Sequence, residues 1–261
     1  MNRLNELFAS KQKPLLSIYF TAGYPAISSP LDIAEALEKA GADFLESGFP
    51  YSDPLADGPV IQQSSQQALQ NGMTLEVLFE QLKDLRKRVT IPVLLMGYFN
   101  PVLQYGVENF CKACADAGVD GVIIPDLPMY EYEGMYKDCF NSNGISNIFL
   151  ITPHTSDERI RRIDKLSDGF IYLLSSSSTT GTNLTLNDEA DTYFSRIQQM
   201  NLNNPTMIGF GISNRESFQK AAQYTRGAIV GSAFVKILAE ENYPEKINAF
   251  IEELNPQDRL F

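Results

Sequence analysis

A parallel (β/α)8 barrel of the TIM type, in one domain over residues 1–261, is the fold this sequence predicts. Three observations carry that expectation. A short apolar strand, a Gly/Pro loop and an amphipathic helix recur eight times in 261 residues, the size class of such barrels. The strands are near-continuous apolar runs, as parallel strands buried on both faces must be. The first strand exit, T-A-G-Y-P (21–25), lacks the G-x-G-x-x-G fingerprint of a doubly wound open sheet, the competing arrangement.

The elements follow in order. Residues 2–11 form a polar amphipathic stretch that predicts an extra N-terminal helix. Leu15–Thr21 predicts the first strand and Leu31–Lys39 its helix. K-A-G-A-D-F (39–44) is a helix end, a capping glycine and an entry into a strand over Asp43–Gly48. Thr74 is placed as the N-cap of a helix over Leu75–Lys87. A strand over Val93–Tyr98 and a helix over Val107–Ala115 follow, and D-A-G-V-D-G (116–121) repeats the earlier helix-to-strand passage. The next units are Gly121–Ile124 with Glu131–Asn141, Asn147–Ile151 with Asp157–Leu166, and Phe170–Leu174 with Asp188–Met200. Met207–Gly209 leads to Arg215–Ala222, with Asn214 ahead of the helix. Ala228–Val230 leads to a short helix opening at Ser232 and a last helix over Pro244–Glu253.

Composition narrows the function classes. A net charge of −11 disfavours nucleic acid and anionic membrane, which need basic patches. It also means that any phosphate site must be built mainly from backbone N–H groups and helix N-termini. The three cysteines, Cys111, Cys114 and Cys139, are too few for a disulfide framework and fit a reducing cytosol. Cys111 and Cys114 form C-x-x-C inside an apolar-periodic helix, with no second pair and no nearby His, so core thiols are favoured over a metal or redox site. No secretory leader and no transmembrane-length run is present, and a cytoplasmic protein is expected.

In such a barrel the chemistry sits where strands end. The most informative exit is E-S-G-F-P-Y-S-D-P-L-A-D-G-P (46–59), with three acids, three prolines and two glycines. It is either a stiff, solvated acidic turn or a backbone shaped to hold charges. Alternation puts Phe44, Glu46 and Gly48 on one strand face. Glu inside a strand is rare unless paired or functional, and partial desolvation at a barrel mouth would raise its pKa toward acid–base duty. A buried structural Glu is the alternative. Asp57 offers a second fixed charge and Asp126 a third. No strand exit carries Lys, against a Schiff-base aldolase, and none carries a His/Asp/Glu cluster spaced for a metal. The single histidine, His154, has no carboxylate at short spacing to orient it and reads as a bystander. The exits Gly209–Gly211–Ser213 and Gly231–Ser232 are glycine-rich and open onto helices, the usual place for phosphate, though tight turns alone would also use glycine.

These motifs resemble one family over essentially the whole chain, the α subunit of tryptophan synthase. The matching segments are F-T-A-G-Y-P (20–25), G-F-P-Y-S-D-P-L-A-D-G-P (48–59), L-M-G-Y-F-N-P (95–101), P-D-L-P (125–128), Y-L-L-S (172–175), T-T-G (179–181), G-F-G-I-S (209–213) and G-S-A (231–233). The resemblance implies a barrel that cleaves indole-3-glycerol phosphate to indole and glyceraldehyde 3-phosphate, with no cofactor or metal of its own. It assigns Glu46 as acid–base and Asp57 as the carboxylate facing the indole N–H. Thr180 would contact that aspartate from a mobile lid over 175–186. Gly181, Gly211, Gly231 and Ser232 would hold the phosphate, and Phe20, Tyr98, Tyr172 and Phe210 would line the pocket. Asp53, Pro54, Asn100, Pro101, Pro125, Asp126, Leu127 and Pro128 would meet a β subunit carrying pyridoxal phosphate, in an α2β2 assembly. Three positions depart from the family: Ser47 replaces an aliphatic residue, the lid begins S-S-S-S, and Gly97 is unusually small. A stand-alone lyase that releases indole and a non-catalytic activating subunit are the alternative functions.

Overall fold

A computed structural model describes residues 2–174, 188–209 and 211–254. Eight parallel strands close into a barrel in sequence order: β1 (Leu15–Thr21), β2 (Phe44–Gly48), β3 (Val93–Met96), β4 (Gly121–Ile123), β5 (Ser146–Ile151), β6 (Ile171–Leu174), β7 (Thr206–Gly209) and β8 (Gly227–Val230). β8 pairs back onto β1, so no sheet edge is left open.

Strand alternation sorts the side chains into two cores. Phe44, Leu94, Ile123, Ile148, Phe170, Met207 and Ile229 fill the barrel. Leu16, Ile18, Phe20, Leu45, Leu95 and their like face outward into a larger layer shared with the helices. The N-terminal helix Arg3–Ser10 plugs the floor: Leu4 is fully buried in the inner core, and the Phe8, Phe44 and Phe170 rings meet at 5.6–6.1 Å between centroids.

Both repeated helix-to-strand passages use glycine in the left-handed region, Gly41 at φ 105° and Gly118 at φ 77°, as helix ends that side-chain-bearing residues resist. The helices differ from expectation in four places. Pro59–Gln70 is helical although its polar sequence, V-I-Q-Q-S-S-Q-Q, carries little apolar periodicity; Pro59 at its first turn starts it. The helix expected over Leu75–Lys87 breaks into Leu75–Leu82 and Leu85–Arg88. The one expected over Glu131–Asn141 includes a π-helical turn at Tyr132–Tyr136. A further helix, Phe99–Tyr105, follows β3. Among the described residues, no helix is long and apolar enough to cross a membrane.

Candidate active site

At the C-terminal mouth of the barrel lies a cavity of ≈ 360 Å³. Tyr19 and Thr21 of β1, Phe49 and Tyr51 after β2, Met96 and Tyr98 around the end of β3, Leu150 of β5 and Leu174 of β6 form its walls. They are mostly apolar and aromatic, a shape suited to a flat ring. Among the described residues, Asp57 is the charged residue on this wall, and no Lys, Arg or His lines it.

The loop carrying Asp57 is braced from two sides. The Gln62 side chain donates to the carbonyls of Pro54 (3.3 Å) and Asp57 (2.7 Å), tying the loop to the helix it precedes. The Ala56 N–H donates to the Tyr98 hydroxyl (3.0 Å), which in turn donates to Asp57 Oδ2 (3.3 Å). Ser64 and Ser65 of the polar helix Pro59–Gln70 explain its unusual composition. Ser64 Oγ meets Thr21 Oγ1 at 2.7 Å, and Ser65 Oγ bonds both the N–H and the carbonyl of Tyr51. The helix is therefore held to the mouth by hydroxyls together with the buried Ile61 and Ala68 on the same face.

Glu46 lies deeper. It sits opposite Tyr19 of β1 and Leu94 of β3, wholly covered at 0 % exposure. Ser17 Oγ donates to Oε1 at 3.5 Å, and Oε2 has no partner among the described residues. Burial pushes its pKa up to about 8, against the weaker opposing pull of the Ser17 bond. Burial also raises Asp57, to about 6, with the Tyr98 hydrogen bond holding it down. Two carboxyl groups at one mouth thus differ in protonation near neutral pH: Glu46 mostly carries its proton and Asp57 mostly does not.

Glycine–aromatic pairs shape the mouth. A Cβ on Gly48 would fall 2.1 Å from the Tyr19 hydroxyl, so that ring leans across β2 above Glu46. A Cβ on Gly209 would meet the Tyr172 hydroxyl at 1.9 Å. A Cβ on Gly97 would lie 2.2 Å from the Phe49 ring, so the small residue after β3 is what admits that ring to the pocket wall.

The structure brings Asp57, Tyr98, Pro54 and Pro125 onto the cavity wall. Glu46 and Tyr172 are buried beneath it. Gly211, at φ 76°, and the half-buried Gly231 and Ser232 sit at the ends of β7 and β8, with the helix Ser232–Leu238 running from the latter. Thr180, Gly181, Phe210 and the 175–186 segment lie outside the described residues. Phe20 requires correction. It faces the helix layer, 1 % exposed, and its neighbour Tyr19 takes the wall. Counting alternation from Leu15, an inner-core residue, puts 17, 19 and 21 inside and 20 outside. Leu127 also differs from expectation: it is buried in the helix layer, while Asp53, Asn100, Pro125 and Asp126 are exposed and Pro54, Pro101 and Pro128 half-buried. Asp126 accepts from the Phe99 N–H (2.8 Å), joining the exits of β3 and β4. Ser47 faces the helix layer with its hydroxyl buried and unpartnered among the described residues. Cys111 and Cys114 are buried thiols whose pKa values burial pushes up. Among the described residues, no group of three or more His, Cys, Asp or Glu side chains is placed to hold a metal ion.

Comparison with known proteins gives consistent findings. The family described as "Tryptophan synthase alpha chain" matches residues 6–258. The chain is 56% identical over 254 residues to the tryptophan synthase alpha chain of Flavobacterium psychrophilum, covering 97% of this chain and 100% of that one. It is 52% identical over 246 residues to that of Bacteroides thetaiotaomicron, covering 94% and 96%. Among solved structures, tryptophan synthase of Mycobacterium tuberculosis superposes with a TM-score of 0.87 at 31% identity, over 97% of this chain and 96% of that one. The tryptophan synthase A-subunit of Pyrococcus furiosus does so with a TM-score of 0.83 at 36% identity, over 92% and 97%.

Proposed function

The chain belongs to the tryptophan synthase alpha chain family, and from that premise we propose that Glu46 and Asp57 together carry its chemistry. It is a carbon–carbon lyase of tryptophan biosynthesis, splitting indole-3-glycerol phosphate into indole and glyceraldehyde 3-phosphate. The observation that supports the assignment is the pair of unequal carboxyl groups, Glu46 raised to about 8 and Asp57 to about 6.

The steps follow from those states. Protonated Glu46 donates to ring carbon C3 of the indole, leaving positive charge at N1. The Asp57 carboxylate, steadied by Tyr98, accepts the N1–H bond and stabilises that charge as it develops. Ionised Glu46 then takes the proton of the C3′ hydroxyl. The C3–C3′ bond breaks, its electron pair restores the aromatic ring, and the oxygen becomes the aldehyde carbonyl. One proton is given and one is taken, so Glu46 ends as it began. Tyr19, opposite Glu46 across β1 and β2, forms the wall beside the reacting carboxyl.

The glycine-rich ends of β7 and β8 hold the phosphate through backbone N–H groups of Gly211, Gly231 and Ser232, together with Gly181. This suits a chain of net charge −11, in which the described residues of the cavity wall include no cation. No cofactor is needed on this chain. Its partner is a tryptophan synthase β subunit bearing pyridoxal phosphate, docked on the face that presents Asp53, Asn100, Pro125 and Asp126, in an α2β2 assembly.

The test is indole release from indole-3-glycerol phosphate by the purified chain, with and without a β subunit. Slow release that a β subunit accelerates is expected. Acceleration of β-subunit turnover with no indole release from either mixture would favour a non-catalytic activator.

A further inference from the structure

Ser17 is a polar residue set into an apolar rung of the barrel interior. Its rung neighbours are Phe44 on β2 and Ile229 on β8, and the inner core around it is apolar. It is fully buried, where a hydroxyl without a partner is costly. Its hydrogen bond among the described residues runs to Glu46 Oε1. The two oxygens of Glu46 are therefore unlike: Oε1 is engaged and Oε2 is not.

We propose that Ser17 is a positioning residue for the lyase reaction, engaging Oε1 of Glu46 so that Oε2 is the oxygen that carries and transfers the proton. A hydroxyl that donates to one carboxyl oxygen makes that oxygen the carbonyl of the protonated acid and places the proton on the other. It also favours the ionised form, offsetting part of the burial that makes Glu46 a weak acid. Glu46 needs both effects. It must give a proton in one step and take one in the next, and an acid raised too far gives its proton poorly. The other titratable groups about Glu46 are Tyr19 on β1, Tyr172 on β6, and Asp57 and Tyr98 above, all shared by the variants below. β3 contributes Leu94.

The inference rests on Glu46 being the proton-moving group, and the experiment separates the two. The carboxyl band of Glu46 is assigned in the full-length chain by infrared difference between wild type and Glu46→Gln, then titrated with no substrate present. Ser17→Ala and Ser17→Val should move its midpoint up by about one pH unit, the size of a hydrogen bond to a charged group. Ser17→Thr, which matches Val in shape and keeps the donor, should leave it in place. With indole-3-glycerol phosphate, Ala and Val should lower kcat about three- to tenfold, change KM less than about twofold, and move the high-pH limb upward. Thr should restore both. An unmoved midpoint in Ala and Val, or a Thr variant that shifts as Val does, overturns the proposal. An active Glu46→Gln variant would instead overturn the role of Glu46 and leave the band titration to judge Ser17 alone.

Discussion

The two ends of the barrel treat carboxylates in opposite ways. At the N-terminal end they are satisfied. Asp120 takes salt bridges from Arg3 (3.0 Å) and Arg86 (2.6 Å) and the Val93 N–H. Asp43 pairs with Lys11 and accepts the Leu16 N–H. Asp168 accepts from Asn5 and Ser146. Asp164 is held below its usual range: burial alone would raise it, but the backbone and side-chain N–H groups of Asn203 and Asn204 outweigh that. At the C-terminal end, among the described residues, Glu46 and Asp57 accept from the hydroxyls of Ser17 and Tyr98, and burial wins in both. Satisfied acids stitch the N-terminal helix and loops to the floor, whereas at the mouth under-satisfied Glu46 keeps a proton that can move and Asp57 keeps a charge that a substrate can meet. The cost of the second arrangement is carried by the first.

The largest effect should come from Glu46→Gln. The amide keeps the shape but cannot cycle a proton, so indole release should fall about 10³-fold, within the range for acid–base groups. The same variant should be more stable at alkaline pH. The folded Glu46 holds its proton up to about 8 while the unfolded chain releases it near 4.5, so stability falls as pH rises through that window. Removing the group should add a few kcal/mol at pH 8, read by denaturant melts, and little at pH 4. A variant no more stable than wild type at pH 8 would mean that Glu46 is not held protonated.

Asp120→Ala tests the other end. It strands Arg86, whose guanidinium also reaches the Gly118 and Ile91 carbonyls, and should cost about 3 kcal/mol of stability. The kcat of the folded fraction should stay within about twofold. A variant that kept its stability and lost kcat would erase the distinction between the two ends.

Asp57→Asn should lower kcat by about 10–100-fold, because a neutral amide stabilises charge at N1 less well. In wild type the rate should rise as pH passes about 6, where Asp57 ionises, and fall above about 8, where Glu46 loses its proton. The asparagine variant should lose the low-pH limb and keep the high-pH one.

Tyr98→Phe is the mildest test. It removes the hydroxyl that holds Asp57 down, so the low-pH limb should move upward and kcat near neutral pH should drop about two- to fivefold. A limb that stays in place would mean that Tyr98 contributes only wall area.

Much of this arrangement is legible in local sequence, and what is not follows a pattern. Strand periodicity and the two K-A-G-A-D/D-A-G-V-D passages announce the barrel, because buried parallel strands and left-handed glycine caps are local requirements. A glutamate within an apolar strand and an aspartate in a Pro/Gly-stiffened loop announce the carboxyl pair for the same reason. The helix Pro59–Gln70 is not legible in the sequence because its serines serve contacts with β1 and Tyr51, which weak apolar periodicity within the helix does not encode. Phe20 stands in the expected pocket where Tyr19 stands in the structure because a motif match aligns residues without saying which way each faces. Desolvation predicts from the sequence that the Glu46 pKa rises, but how far Glu46 and Asp57 differ is not legible there. Their pKa values depend on which neighbours the closed barrel brings within a few ångströms, and Ser17 and Tyr98 stand 29 and 41 residues away along the chain. Residue type and spacing decide what can be buried and where the backbone turns. Only closure of the barrel decides what each buried group faces, because desolvation and hydrogen bonding are set by neighbours in space.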